Sequence, residues 1–169
     1  MESPHRLPTS GCRRLTMTYV DLTLRRLIHA SARHLDNRDY AGFVDLFAPN
    51  GEYRVDAKAP ELTDTMTWME MTRDELAERC KQLGRQEWEI TSYEQTRLLS
   101  IDIVDVDTDT AHTSTGFVIY HTDADGATQC YAAGRYEDDW HGSSDDWFLT
   151  ARRVDLKTRL LSPMSPLPL

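Results

Sequence analysis

From Thr96 onward the chain reads as strand and turn, and two of its long strands change the side on which their apolar residues fall. In 97–106 the apolar positions are odd through Leu99, Ile101 and Ile103, then even through Val104 and Val106. In 147–156 they are odd through Trp147, Leu149 and Ala151, then even through Val154 and Leu156. Successive strand residues face opposite sides, so a change of parity requires an extra residue or a sharp bend. The two strands between carry Gly116 and Gly134 in their interiors, and an interior glycine marks the same kind of break. Four long strands bent near the middle make a sheet that curls around a helix, with bends expected near Val104, Gly116, Gly134 and Arg152–Arg153. Phe148 and Val118 depart from strict alternation, which leaves open a sheet simply covered on both faces.

The first half supplies helices. From Thr18 to Asp36, Val20, Leu24, Leu27, Ile28, Ser31 and Leu35 recur at helical spacing. "DNRDY" interrupts that pattern, and Tyr40, Phe43, Val44 and Phe47 form a second, shorter helix that ends at "APNG", a turn signal. "EYRV" alternates as a strand. Thr72 and Glu75 form a capping box that opens a third helix, with Leu76, Cys80 and Leu83 inward and Gly84 as its stop. "DTDT", "DADG" and "HGSSDD" separate the later strands. Helices followed by an antiparallel meander predict an α+β fold with the helices on one side of the sheet.

At 169 residues the chain fits one domain with a core of its own. The organisation expected is an N-terminal arm over 1–17, a single domain over 18–161 and an apolar tail over 162–169. A net charge of -9 disfavours nucleic acid and anionic membrane surfaces as partners. Cys12, Cys80 and Cys130 are odd in number and widely spaced, which points to a reducing compartment. No apolar run approaches a membrane span, and the opening residues lack the apolar core of a signal peptide. The expectation is a cytoplasmic protein.

"ARHLDNRDYAGFVDLFAPNGEYRV" (32–55) resembles the helix–helix–strand opening of the nuclear-transport-factor-two-like cone fold, shared with ketosteroid isomerases and polyketide cyclases. "GRYEDDW" (134–140), "DDWFLTARRVDLKTRLL" (145–161) and the apolar "PLPL" (166–169) resemble the small (beta) subunit of aromatic-ring-hydroxylating dioxygenases. The resemblance covers about 17–169. It implies a cone-shaped α+β fold and a non-catalytic chain that props up catalytic large (alpha) subunits, usually as an α3β3 hexamer. The large subunit would carry a Rieske [2Fe-2S] cluster and mononuclear Fe(II), fed by a reductase or ferredoxin, and would hydroxylate an aromatic substrate with O2.

A Rieske centre needs paired Cys and His ligands, and neither Cys80 nor Cys130 has a nearby histidine. His29, His34 and Asp36 share a helix, but a spacing of five residues turns the two histidines off one face. Asp105, Asp107 and Asp109 open like a calcium loop, yet glycine is missing at the sixth position and Gly116 stands where the closing glutamate belongs. No catalytic, metal or cofactor-binding residue is therefore expected. The alternative is a stand-alone isomerase, dehydratase or cyclase-like enzyme, or a small-ligand-binding protein, with Tyr19, Asp36, Asp102, His112 and His121 as candidates. The aromatics Trp68, Trp88, Tyr93, Tyr131, Trp140 and Trp147 read as core or interface before pocket, and the cone interior is expected to be largely filled. "MTWMEM" (66–71) reads either as core or as an adaptable subunit patch.

The last stretch carries the partner expectation. Arg152, Arg153 and Arg159 place three guanidiniums on the final strand of an acidic protein, followed by "LLSPMSPLPL". Cross-strand pairing with Glu137, Asp138 and Asp139 accounts for some of that charge. Arginine is also enriched at interfaces, and a proline-stiffened apolar tail orders at low entropic cost. Arg152, Arg153, Arg159, Leu160, Leu161, Leu167 and Leu169 are accordingly expected at a subunit interface.

Overall fold

The computed structural model describes residues 10–58, 65–85, 93–161 and 168–169. Helix α1 (Ser10–Asp36) begins eight residues before the Thr18 start expected from periodicity. Its buried positions Val20, Leu24, Ile28, Ser31 and Leu35 follow the predicted stripe. The chain then turns through Arg38 (φ 59°), whose guanidinium donates to the Tyr93 carbonyl at 2.6 Å. Helix α2 (Tyr40–Val44) is capped by Asp39, which accepts from the Gly42 amide at 3.0 Å. It is shorter than expected: Phe47 and "APNG" belong to strand β1 (Phe47–Lys58). Phe47 is apolar and buried in either assignment, so periodicity over so short a stretch did not separate the two.

"MTWMEM" lies in β2 (Thr65–Thr72), an edge strand paired antiparallel with β1. Helix α3 (Arg73–Arg85) starts at the predicted capping box: Glu75 accepts from the Thr72 amide at 2.8 Å, and its own amide points back at the Thr72 hydroxyl. Leu76, Cys80 and Leu83 are buried as expected, and the helix continues one residue past Gly84. Strands β3 (Tyr93–Val106), β4 (Thr110–Asp123), β5 (Thr128–Ser143) and β6 (Asp146–Leu156) form the meander, closed by a parallel pairing of β1 with β6. The sheet order is β2-β1-β6-β5-β4-β3.

The parity switches are β-bulges. The β3–β4 register slips between Ile103 and Asp105, leaving Val104 as the extra residue where a bend was expected. In the rest of the meander the slips bypass Tyr131 in β5 and Thr150 in β6, and the ladders run unbroken through Gly116 and Gly134. The bends expected at those glycines and at Arg152–Arg153 are therefore displaced to Tyr131 and Thr150. Gly134 is there for close packing: a Cβ would sit 2.8 Å from the Phe117 ring and 2.5 Å from the Asp155 carbonyl oxygen. The core fills the space between α1 and the sheet. It includes Phe43, Phe47, Tyr53, Ile119, Tyr136, Trp140, Leu149 and Val154, and Leu169 joins it from the far end of the sequence. Among the described residues no helix is long and apolar enough to cross a membrane.

Candidate functional site

The inner face of the sheet carries a line of polar groups directed at α1. At its centre Arg152 and Asp138 sit opposite each other on β6 and β5, with both side chains fully buried. Two guanidinium nitrogens donate to the two carboxylate oxygens at 2.7 Å each, and a third reaches the Ser31 hydroxyl on α1 at 3.2 Å. The guanidinium also lies 4.6 Å from the Tyr136 ring centroid. Burial pushes the Asp138 carboxyl up, and Arg152 pulls against that push. Burial alone would loosen the Arg152 proton, but Asp138 leaves it held more tightly than usual.

A second cluster lies toward the start of β3. Arg97 is buried, and its guanidinium and main-chain amide both donate to the Asp36 carboxylate at the end of α1. His121 on β4 is buried and stacked on Tyr131 at 3.8 Å between ring centroids, with Tyr93 at 5.4 Å. The bulge in β5 makes that stack, because it turns both Tyr131 and Ala132 inward. His121 Nε2 lies 2.9 Å from Gln95 Nε2, and His121 Nδ1 has no protein partner. Burial, with Arg97 adding to it, lowers the His121 pKa and favours the neutral ring.

Between the two clusters the cone is closed by the chain itself. The Tyr53 hydroxyl accepts from the Leu169 amide at 2.9 Å and donates to the Leu169 main-chain oxygen at 3.2 Å. Arg97 donates to the Pro168 carbonyl at 3.3 Å. Phe117 and Tyr136 stack beside it, and the Trp140 indole donates to the Thr113 hydroxyl at 3.0 Å.

Two of the seven interface residues expected from the sequence are placed in the interior rather than at a surface. Arg152 and Leu169 are corrections: both are buried in this chain's own interior, Arg152 because the Thr150 bulge shifts the inward face to even positions. Arg153 stays on the exposed side and pairs with Asp155 at 2.9 Å. Arg159 is exposed, Leu160 is 88% exposed, and Leu161 packs partly against the core. Leu167, like Trp88, lies outside the described residues.

Of the enzyme candidates, Asp36 and His121 come together near Arg97, and the others do not. Tyr19 is exposed and bonds Asp145, His112 lies between Glu137 and Asp139 on the outer side, and Asp102 pairs with Arg135. Among the described residues no grouping of three His, Cys, Asp or Glu side chains could hold a metal ion. Trp140, Trp147 and Tyr131 are core, while Trp68 and Tyr93 are half-buried. Sequence reasoning missed Arg97, Tyr53, Tyr136 and the inward role of Asp138. A signal existed, since Arg97 shares parity with Leu99 and Ile101, and Asp138 alternates with Trp140.

A bulged, mixed sheet wrapped on one long helix, with paired charges facing inward, defines a cone-like α+β protein of the nuclear-transport-factor-two-like class. Within that class the chain belongs to the SnoaL-like domain family, which matches residues 21–153. No curated protein matches the sequence at a significant level. A structure assigned as the beta subunit of an aromatic-ring-hydroxylating dioxygenase from Novosphingobium aromaticivorans superposes with a TM-score of 0.73 at 20% identity, covering 93% of this chain and 99% of that one. A naphthalene 1,2-dioxygenase structure with indole in its active site gives 0.65 at 17% identity, covering 97% and 89%. ActVI-ORFA from Streptomyces coelicolor gives 0.64 at 15% identity, covering 85% and 98%. At these identities the likenesses show the shared fold.

Proposed function

We propose that this chain is the non-catalytic small subunit of an aromatic-ring-hydroxylating dioxygenase, which stabilises an oligomer of catalytic large subunits. The observation that carries the reading is the occupied interior. Trp140, Tyr53, Tyr136 and Arg152 fill the cone, and Leu169 closes it with its main chain bonded to Tyr53. A catalytic cone must offer that space to a substrate, whereas a supporting subunit has no such need. The likeness to the Novosphingobium aromaticivorans beta subunit, which runs over nearly the whole of both chains, supports the same reading. On this proposal the Rieske [2Fe-2S] cluster and mononuclear Fe(II) reside in the large chain. The assembly is an α3β3 hexamer in the cytoplasm, served by a reductase or ferredoxin. The exposed side of β6, with Arg153, and the exposed Arg159 and Leu160 are the parts of the expected interface that a partner can reach.

A stand-alone isomerase, dehydratase or cyclase-like enzyme draws support from one feature, the neutral, buried His121 with an unpartnered Nδ1. Co-expression with a neighbouring gene for a large chain bearing a Rieske-type C-x-H…C-x-x-H pattern separates the two. The subunit reading expects both chains to co-elute in equal numbers at the mass of a hexamer. If the large chain assembles and turns over without this one, the reading fails.

A further inference from the structure

We propose that the interior of the cone is a recognition site for the main chain of a short apolar peptide, and that Pro168–Leu169 is its ligand in cis. The Tyr53 hydroxyl satisfies both the amide (2.9 Å) and the main-chain oxygen (3.2 Å) of a single residue, Leu169. Arg97 Nη2 takes the carbonyl of the residue before it, at 3.3 Å. Main-chain groups buried in apolar surroundings are normally paired within helices or sheets. Here two side chains from β1 and β3 do that work, as a neighbouring strand does when a peptide is added to a sheet edge. Leu169 is 5% exposed and packs in the same core as Tyr53 and Tyr136, so its side chain is bound by shape while its main chain is bound by hydrogen bonds.

The dipeptide does not exhaust the site. Arg97 Nε and the Tyr136 hydroxyl are buried beside it, neither in a well-aligned hydrogen bond, although Arg97 stands close enough to Tyr136 to oppose the rise that burial gives its pKa. Buried polar groups left in this state cost free energy that a ligand with a further acceptor recovers. Burial raises the Tyr53 pKa, opposed by its bond to Leu169, so it stays a hydroxyl that both donates and accepts. An apolar peptide supplied in trans therefore competes with Pro168–Leu169 for the same donors. This inference goes beyond the subunit reading and holds whether or not a large chain binds.

The test uses a labelled peptide with the sequence of residues 160–169 and a chain ending at Leu167, followed by fluorescence anisotropy. Saturable binding is expected, at least tenfold weaker to the full chain, which holds its own copy. Tyr53→Phe in the shortened chain should weaken binding at least tenfold. Equal binding to the full and shortened chains, or no loss in the Tyr53→Phe variant, overturns the proposal. A second measurement covers a shortened chain that fails to fold: Leu169→Cys in the full chain, with Cys12 and Cys130 changed to serine. Adding Tyr53→Phe should speed labelling of that thiol at least tenfold. Equal labelling rates with and without the Tyr53 hydroxyl overturn the proposal as well.

Discussion

Arg152 and Asp138 form a two-pronged ion pair with both side chains fully buried, 2.7 Å at each contact, joining the last two strands beneath α1. Two charges taken out of water need each other: the pair adds little over an apolar substitute, but either charge left alone is costly. Asp138→Ala strands a guanidinium that cannot lose its proton and should cost about 3–5 kcal/mol in urea unfolding. The double variant Asp138→Leu/Arg152→Met should be more stable than that single change. A double variant no better than Asp138→Ala would show that the pair does not carry this penalty.

Gly134 fixes how closely Phe117 approaches the backbone of β5. A methyl group there meets the ring at 2.8 Å and the Asp155 carbonyl at 2.5 Å, and the carbonyl, held in the sheet, has little freedom to move. Overpacking of this kind costs about 1–3 kcal/mol. Gly134→Ala should lower the thermal midpoint, while Gly116→Ala, whose nearest atoms lie at 3.7 Å, should leave it almost unchanged. Equal shifts in the two variants would remove the special role of Gly134.

Much of this architecture was legible in the residues, and the failures have physical causes. The stripe from Val20 to Leu35 and the Thr72–Glu75 box are local patterns, and the structure buries the one and caps α3 with the other, although α1 starts eight residues before Thr18. The parity switches announced bulges, but only Val104 was placed correctly. At Thr150 the slip lies one pair earlier than expected, and that single residue decides whether Arg152 faces a partner or the core. An interior glycine predicts a bend, but Gly134 serves close packing instead. The role of Tyr53 was out of reach, because its partner stands 116 positions away and no periodicity links them.

The two described thiols should behave as opposites. Cys80 faces the core from α3, and burial pushes its pKa up to about 11, whereas Cys130 is exposed on β5. Thiolate is the reactive form, so Cys80 should resist alkylation in the native protein and react only on unfolding. In a Cys12→Ser background, iodoacetamide followed by mass spectrometry should label Cys130 alone. Native labelling of Cys80 at a comparable rate would contradict the packing of α3.

His121 gives the fold a dependence on mild acid. Its pKa is lowered by burial and then by Arg97, so the unfolded chain takes up this proton at a higher pH than the folded one. Stability is therefore greatest above the ordinary histidine value of about 6.5 and falls as pH drops from there through the lowered folded value. One proton sets the slope at no more than about 1.4 kcal/mol per pH unit. The carboxylates of Asp39 and Glu75, whose pKa values are lowered chiefly by backbone hydrogen bonds, act at lower pH and do not share this window. His121→Gln keeps a polar group between Tyr93 and Tyr131 without the titration. Urea midpoints measured between pH 5 and pH 7.5 should fall with acid more steeply for the parent than for His121→Gln. Parallel curves for the two proteins would mean that His121 is protonated in the folded state as readily as in water.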